Sequence, residues 1–255
     1  MTQVEAVPVR KVSPLLYKTP VVPPVIGRNV PRPPAELVER FRSVFLPDIS
    51  DKVGQLYTMD SGIRPLYQPI RRVVGVALTV KLPPGDNMMI QLALAEAQPG
   101  DVLVVDWRGF TEACGTGTGS LTSGIARGLV GVVIDGGWRD VAEIQALDFP
   151  IFARSISPFS TGKGRAGEIN VPVACGGVIV NPGDIVVCDQ EGGVVIPRLH
   201  AQAVADSLHE YHLNTSVDAW RAERGGEGYA AQGRQYEEMF LAQGGVYVDG
   251  SAAGR

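Results

Sequence analysis

Gly131-Val-Val-Ile-Asp-Gly-Gly-Trp-Arg-Asp140 is an apolar run that ends in two glycines, a tryptophan and a charged pair. The β-branched residues at its start are typical of a buried strand, and the residues after Asp140 have the spacing of a helix. In open α/β sheets, ligands bind in the crevice beyond the carboxyl ends of the strands. The stretch therefore predicts a strand that delivers Arg139 and Asp140 to a ligand-binding edge.

Strands and helices alternate on both sides of this stretch, which is typical of the α/β class. After residue 178 the predicted strands are joined by short turns such as Asn181-Pro-Gly-Asp184, so we expect antiparallel hairpins and mixed sheets. Predicted strands cover residues 73–80, 102–106, 130–134 and 150–153, and predicted helices cover residues 121–127, 140–147 and 234–242.

The two ends of the chain differ from its middle. Residues 1–34 carry eight prolines, which disfavour helix and predict an extended arm, either loose or lying on a neighbouring subunit. A helical pattern starts after this arm with Leu37, Val38 and Phe41. We expect one domain over residues 35–215 and a helical extension with a tail over residues 216–255.

Composition excludes several classes of function. The net charge of −4 gives no broad positive field, so neither a nucleic acid nor an anionic membrane is an expected partner. The three cysteines, Cys114, Cys175 and Cys188, form no Cys-x-x-Cys pair and predict a reducing compartment. No apolar window reaches the roughly 18 residues of a membrane span. We expect a cytoplasmic protein.

A glycine-rich loop, Gly115-Thr-Gly-Thr-Gly-Ser120, lies between a predicted strand and a predicted helix. Alternating glycines let backbone N–H groups converge on an anion, and a helix N-terminus adds about half a positive charge. The loop lacks the lysine of a phosphate-binding P-loop. It is therefore either a site for a carboxylate or phosphate, or a plain turn.

Arg139 and Asp140 are the second candidate element. A guanidinium can hold a substrate carboxylate through two hydrogen bonds, and a carboxylate is a hard ligand suited to Mg²⁺ or Mn²⁺. The alternative is structural, with Asp140 capping the next helix and Arg139 pairing with it at the surface. The neighbouring glycine loop favours the functional interpretation, in which the two elements together bind a metal-bound oxo-acid.

On these motifs the chain resembles the RraA-like proteins, which include class II pyruvate aldolases acting on 4-hydroxy-4-methyl-2-oxoglutarate and 4-carboxy-4-hydroxy-2-oxoadipate. The resemblance covers about residues 35–215, and Gly-Gly-Trp-Arg-Asp is its most specific part. The matching stretches are Gly62-Ile-Arg-Pro-Leu-Tyr67, Pro83-Pro-Gly-Asp-Asn87, Pro99-Gly-Asp-Val-Leu-Val-Val-Asp106, Arg127-Gly128, the run from Gly131 to Asp140, Pro150-Ile-Phe-Ala-Arg154, Asn170-Val-Pro-Val173, Gly176-Gly-Val178, Pro182-Gly-Asp184 and Val194-Val-Ile-Pro-Arg198.

The resemblance implies a swivelling β/β/α-type fold with mixed sheets, and a homotrimer or homohexamer with active sites at subunit interfaces. It implies that Asp140 ligates a divalent cation, Mg²⁺, Mn²⁺ or another, and that Arg139 binds the pyruvyl part and stabilises its enolate. Backbone amides of the loop would hold the substrate carboxylate, through Gly117, Thr118, Gly119 and Ser120.

Several positions depart from the aldolase pattern. Thr118 stands where the aldolases commonly carry an acid, which leaves the proton-transfer role without a residue. Those aldolases also take a glutamate from a neighbouring subunit, for which this chain offers Glu210, several positions from an ungapped match. His209 and His212 either bind a metal together or are polar surface. Trp138 either narrows the pocket or anchors the core, and we favour the core.

The function that the resemblance implies is a metal-dependent lyase. It would cleave a carbon–carbon bond of a 4-hydroxy-2-oxo acid and release pyruvate, and it would decarboxylate oxaloacetate through the same enolate. The alternative is a non-catalytic RraA-like protein that binds ribonuclease machinery and regulates it.

Overall fold

Four parallel strands form the centre of the structure, a computed structural model that describes residues 22–214 and 227–247. They are β2 (Val73–Lys81), β3 (Asp101–Cys114), β4 (Gly131–Trp138) and β5 (Ile151–Ile156), paired in the order β2-β3-β4-β5. Strands buried on both faces read as continuous apolar runs, as β2, β4 and the first halves of β3 and β5 do. The predicted α/β class is confirmed.

Antiparallel pairs extend this centre into a mixed sheet. Strand β1 (Arg64–Pro65) pairs with β5, and β9 (Ile185–Asp189) joins β2 and forms a hairpin with β10 (Gly192–Ile196). The short β6 (Glu168–Ile169) pairs with the end of β2, and β7 (Val173–Cys175) and β8 (Val178–Val180) make a separate hairpin. The predicted change from alternating elements to hairpins is confirmed.

Seven α-helices lie in the described part of the chain. Each face of the central sheet has its own apolar core, because neighbouring residues of a strand point to opposite faces. Leu103 and Val105 pack into one core, and Val102 and Val104 into the other. The helices are α1 (Ala35–Glu39), α2 (Leu46–Val53), α3 (Met88–Glu96), α4 (Thr118–Ala126), α5 (Val141–Ala146), α6 (Ala201–Asn214) and α7 (Glu227–Ala242). None is long and apolar enough to cross a membrane.

Strands β3 and β4 run well beyond their predicted ends, and glycines allow it. A Cβ on Gly136 would lie 2.6 Å from the Trp107 ring, and a Cβ on Gly137 would overlap the Ala113 carbonyl oxygen. Because neither glycine has a side chain, the second half of β3 lies close against β4. This approach brings the loop after β3 beside the loop after β4.

The described part of the proline-rich arm lies on its own chain. The Gly27 N–H donates to the Ile169 carbonyl at 2.9 Å, the Ile169 N–H donates to Val25, and Arg32 forms an ion pair with Asp101. Residues 22–34 are thus held on their own chain, and their contact with a neighbouring subunit stays a prediction. Residues 1–21 lie outside the described part.

Two predicted helices have different bounds. The first predicted helix is shorter than its apolar pattern and ends at Glu39, and the next helix, α2, begins at Leu46 with Pro47 in its first turn. Helix α7 begins at Glu227 instead of residue 234.

The structure divides into two compact units between Ala205 and Asp206, inside α6. The second unit contains the end of α6 and helix α7, and there the Tyr247 hydroxyl donates to Glu237 at 2.5 Å. The predicted boundary at residue 215 stays a prediction, since residues 215–226 and 248–255 are outside the described part.

Replacing Gly137 with alanine tests the close approach of β3 and β4. We expect Gly137→Ala to lower the free energy of unfolding by about 2 kcal/mol, because the new methyl group meets backbone that has to shift. Gly119→Ala is the matched control, since a Cβ there has open space and alanine favours helix by about 1 kcal/mol. Urea unfolding of both variants gives the comparison, and equal effects would contradict the packing argument.

Candidate active site

Asp140, two residues after the end of β4, has an unusual backbone and an unexpected partner. Asp140 lies in the left-handed region, with φ 60° and ψ 37°, and makes no capping hydrogen bond to α5. Instead its Oδ2 accepts the Thr118 N–H at 2.9 Å and the Thr118 hydroxyl at 3.4 Å. Asp140 therefore does not cap α5 with its side chain. The other part of the structural alternative, an ion pair between Arg139 and Asp140, is present at 3.7 Å.

The glycine loop is fitted to this charged pair. The Gly115 N–H donates to the Gly137 carbonyl at 2.8 Å, which fixes where the loop starts. A Cβ on Gly117 would overlap the Asp140 carboxylate and lie 3.0 Å from the Arg139 Nε. Helix α4 begins directly afterwards at Thr118, so its N-terminal amides lie beside Arg139 and Asp140. The loop therefore packs directly against Arg139 and Asp140, and its role as an anion site stays a prediction.

A cleft of about 200 Å³ opens between these elements. Of the sequence-predicted residues, the structure brings together Gly117, Gly119, Ser120, Arg139 and Asp140 along its walls. Thr118 is not part of the lining and holds the Asp140 carboxylate from behind. The roles assigned to these residues remain predictions.

Two further residues of the cleft were missed by the sequence reasoning. Asn87, before α3, and Lys163, in the loop after β5, both line it. Both residues lie far from Asp140 along the chain, so the sequence pattern around Asp140 does not predict them. The lysine between two glycines in Gly162-Lys163-Gly164 is a weak signal for the second one. Cys114, Thr116 and Ser160 complete the lining.

Two residues that line the cleft each carry a buried polar atom without a hydrogen-bond partner in the described structure, the Asn87 Oδ1 and the Arg139 Nε. Asn87 is only 5% exposed. Arg139 Nε lies 3.7 Å from the Asp140 Oδ1, beyond hydrogen-bond distance. Four other buried polar atoms are also unpaired, in Tyr67, Arg72, Trp138 and Arg198, but none of these residues lines the cleft. An unpaired acceptor and an unpaired donor in two residues of one cleft leave hydrogen-bonding capacity for a ligand.

Asp86 holds the lysine loop in place. Its buried carboxylate accepts the N–H groups of Met88 at 2.9 Å, Gly164 at 2.8 Å and Arg165 at 3.0 Å. The neighbouring Asn87 N–H donates to the Gly162 carbonyl at 3.0 Å. Lys163 is thereby tied to the start of α3 and faces the cleft from a fixed loop.

Charge in the cleft suits an anionic ligand. Arg139 and Lys163 contribute two cations, and Asp140 is the one carboxylate in the lining. Cys114 contributes no further charge, because burial raises the pKa of its thiol despite the opposing effect of Arg139. The thiol is therefore protonated at neutral pH.

A hydrated divalent cation fits the donors present. In the described residues no group of three or more His, Cys, Asp or Glu side chains could enclose a metal. Mg²⁺ needs no such group, since it commonly keeps several waters and is held by one or two carboxylates. Asp140 Oδ1 and the open Asn87 Oδ1 are hard oxygen donors of the type that it prefers.

The other candidates lie elsewhere. Glu210 and His209 are exposed on α6 within the second unit, and the side chain of His212 is outside the described part. The role of Glu210 as an acid for a neighbouring subunit stays a prediction. Trp138 is fully buried in the core, so the core interpretation is confirmed.

Comparison with known proteins identifies the family of this chain. The family model described as RraA-like, Aldolase/RraA, matches residues 46–196. The chain belongs to this family. Its resemblance to RraA-like proteins is thereby confirmed.

Two of the relatives carry the same name. A protein of Halalkalibacterium halodurans named "Putative 4-hydroxy-4-methyl-2-oxoglutarate aldolase" is 39% identical over 199 residues, which are 73% of this chain and 93% of that protein. One of the same name from Deinococcus radiodurans is 37% identical over 49% of this chain and 78% of its own length.

The solved structures include Streptomyces coelicolor RraAS2, described as an unusual member of the RNase ES inhibitor RraA protein family. It is 32% identical, has a TM-score of 0.62, and the match covers 71% of this chain and 96% of that one. The RNA-processing inhibitor RraA from Thermus is 26% identical with a TM-score of 0.56, over 61% and 93%. The RraA-like fold is confirmed.

The left-handed backbone at Asp140 generates a stability prediction. We expect Asp140→Ala to unfold more easily than Asp140→Asn by about 1–2 kcal/mol, because asparagine tolerates the left-handed region and alanine does not. Asparagine also keeps an oxygen that can accept the Thr118 N–H. Chemical unfolding measures both variants, and equal stability would mean that the αL backbone at this position carries no strain.

Proposed function

We propose that this protein is a divalent-metal-dependent lyase that cleaves the C3–C4 bond of a 4-hydroxy-2-oxo acid and releases pyruvate. Decarboxylation of oxaloacetate is the expected side reaction, because it yields the same enolate. The observation that carries the proposal is the pair of open polar atoms, Asn87 Oδ1 and Arg139 Nε, beside the Asp140 carboxylate. The names of the relatives give the substrate class.

Substrate binding follows from the loop. The amides at the start of α4, near Gly119 and Ser120, are not used by the helix itself and carry partial positive charge. We assign to them the carboxylate next to the oxo group. Arg139 then stands beside the oxo oxygen, where its open Nε–H is free to donate.

Bond cleavage leaves an electron pair on C3, which the oxo group accepts as an enolate. Arg139, which lines the cleft beside Asp140, stabilises the negative charge that develops on that oxygen. A divalent cation held by Asp140, with Asn87 as a further oxygen donor, would supply Lewis-acid stabilisation of the same charge. Thr118 fixes the carboxylate of Asp140 through its N–H and hydroxyl.

Proton transfer needs a group that takes the proton of the C4 hydroxyl as C4 becomes a carbonyl, and that returns a proton to C3 of the enolate to form pyruvate. Thr118 does not provide it, since a hydroxyl is not a base at neutral pH. We keep Glu210 of a neighbouring subunit, in a homotrimer or homohexamer, as the proposed acid–base group.

Lys163 adds a second cation to the cleft, which can pair with a second negative charge on the substrate. A 4-hydroxy-2-oxo dicarboxylic acid carries two carboxylates, and the loop amides accommodate one of them. We assign the other to Lys163, whose loop is fixed by Asp86. The proposed substrate class is therefore a dicarboxylate.

The second candidate function is that of a non-catalytic binding protein. The likeness to solved RraA structures favours it, since those are described as inhibitors of RNA processing and of a ribonuclease. The open polar atoms of the cleft favour the lyase, because a surface that only binds a protein needs no such cleft.

Pyruvate release tests the two candidates. Purified protein with Mg²⁺ or Mn²⁺ is expected to release pyruvate from 4-hydroxy-4-methyl-2-oxoglutarate and from oxaloacetate, and chelation is expected to stop it. Asp140→Asn should lower kcat/KM about a thousandfold, because a Lewis acid contributes several kcal/mol. The control is Asp51→Asn on an exposed face of α2, which should match the wild type. No metal-dependent release from either substrate would contradict the lyase and favour the binding protein.

Lys163→Met tests the dicarboxylate assignment. We expect KM for 4-hydroxy-4-methyl-2-oxoglutarate to rise about tenfold or more, the effect of one charged hydrogen bond. Exchange of the methyl protons of pyruvate, a monocarboxylate, should keep its KM. Lys52→Met on α2 is the matched control. An equal rise for both ligands would show that Lys163 binds the shared carboxylate instead.

A further inference from the structure

The loop that carries Lys163 borders two cavities. Its residues Ser160 and Lys163 line the cleft, and its residues 166–168 line a second cavity of about 490 Å³. The other walls of the second cavity come from residues 22–24 of the arm, from residues 81–84 after β2 and from Arg108. This volume lies within the range of about 300–1,000 Å³ that is typical of small-molecule sites.

The second cavity is mainly apolar and has one uncompensated charge. Val22, Leu82 and several prolines supply the walls. Lys81 forms an ion pair with Glu168 at 3.3 Å, so these two charges offset each other. Arg108 has no carboxylate partner in the described part of the chain. An apolar space with one spare cation suits a ligand with an apolar tail and one negative charge.

Arg108 is held in an unusual conformation. It lies in the left-handed region at φ 58°, followed by Gly109 at φ 68°, and its N–H donates to the Asp106 carboxylate at 3.1 Å. Arginine gains nothing from this conformation by itself, and such strained positions cluster where ligands bind. The bend in β3 places this cation on the wall of the cavity.

We propose that the second cavity is a regulatory site for a small monocarboxylate with an unbranched apolar tail. The carboxylate pairs with Arg108, and the tail lies against Leu82 and the neighbouring prolines. This site goes beyond the proposed lyase activity and uses none of the residues assigned to it.

Hydrogen bonds connect the second cavity to the cleft. The Trp107 indole N–H donates to the carbonyls of Pro83 at 3.2 Å and Asp86 at 3.1 Å, and the Arg165 guanidinium donates to Pro84. The Asp86 carboxylate in turn holds the amides of Gly164 and Arg165. A ligand that fixes residues 83–84 and 166–168 therefore also fixes the two segments that carry Asn87 and Lys163.

Binding of hexanoate to the full chain tests the site, with hexanol as the uncharged control. Calorimetry should show saturable binding of hexanoate that is at least about tenfold tighter than that of hexanol. Arg108→Asn, which suits the left-handed backbone, should weaken hexanoate binding about tenfold or more. Glu168→Gln removes the one carboxylate of the cavity and should tighten it. Lys163→Met should leave it unchanged, because that residue lies in the cleft.

Hydrogen exchange tests the connection between the two cavities. Hexanoate should slow exchange of the backbone amides in residues 160–165, which do not line the second cavity, and this readout requires no turnover and no metal. Saturable binding with unchanged exchange would overturn the regulatory role. No saturable binding, equal binding by Arg108→Asn and wild type, or a loss with Lys163→Met as large as with Arg108→Asn would overturn the site itself. None of these measurements depends on the proposed lyase activity.

Discussion

The close approach of β3 and β4 is the constraint on which the site depends. Two parallel strands normally diverge into separate loops once their pairing ends, but Gly136 and Gly137 leave the space that the backbone of β3 near Ala113 occupies. The pairing therefore continues to Cys114. This extension carries the glycine loop to Asp140, where the absence of a third side chain, at Gly117, lets the carboxylate reach the start of α4.

Around the cleft, some buried polar atoms are fully hydrogen-bonded within the protein and others have no partner in the described structure. Asp86 is almost fully buried, and its carboxylate holds three backbone amides in two segments. Such a satisfied hub makes the surrounding loops rigid. Asn87 follows Asp86 directly in the chain, and Asn87 and Arg139, which line the same cleft, each carry a polar atom without a partner in the described structure. The same short region thus combines a rigid frame with unpaired donors and acceptors, which is the arrangement that a preorganised binding site requires.

Family membership and cleft geometry contribute different parts of the functional argument. The family includes relatives named as aldolases and solved structures described as inhibitors of RNA processing, so the fold alone favours neither. The cleft favours a catalytic function over a binding function, because Asp140, Arg139 and Lys163 line it together with residues that carry unpaired polar atoms. The arm adds a feature outside the matched region, since its residues 22–24 complete the wall of a second cavity.

The sequence by itself determined the α/β class, the mixed sheet and the adjacency of the glycine loop to the Arg139–Asp140 pair, because periodicity and strand order are local signals. It also placed Trp138 in the core. Only the tertiary structure decided what the Asp140 carboxylate contacts, since capping and bonding to Thr118 are equally compatible with the local pattern. Asn87 and Lys163 likewise reach the cleft through hydrogen bonds between distant segments, and no spacing along the chain records such bonds.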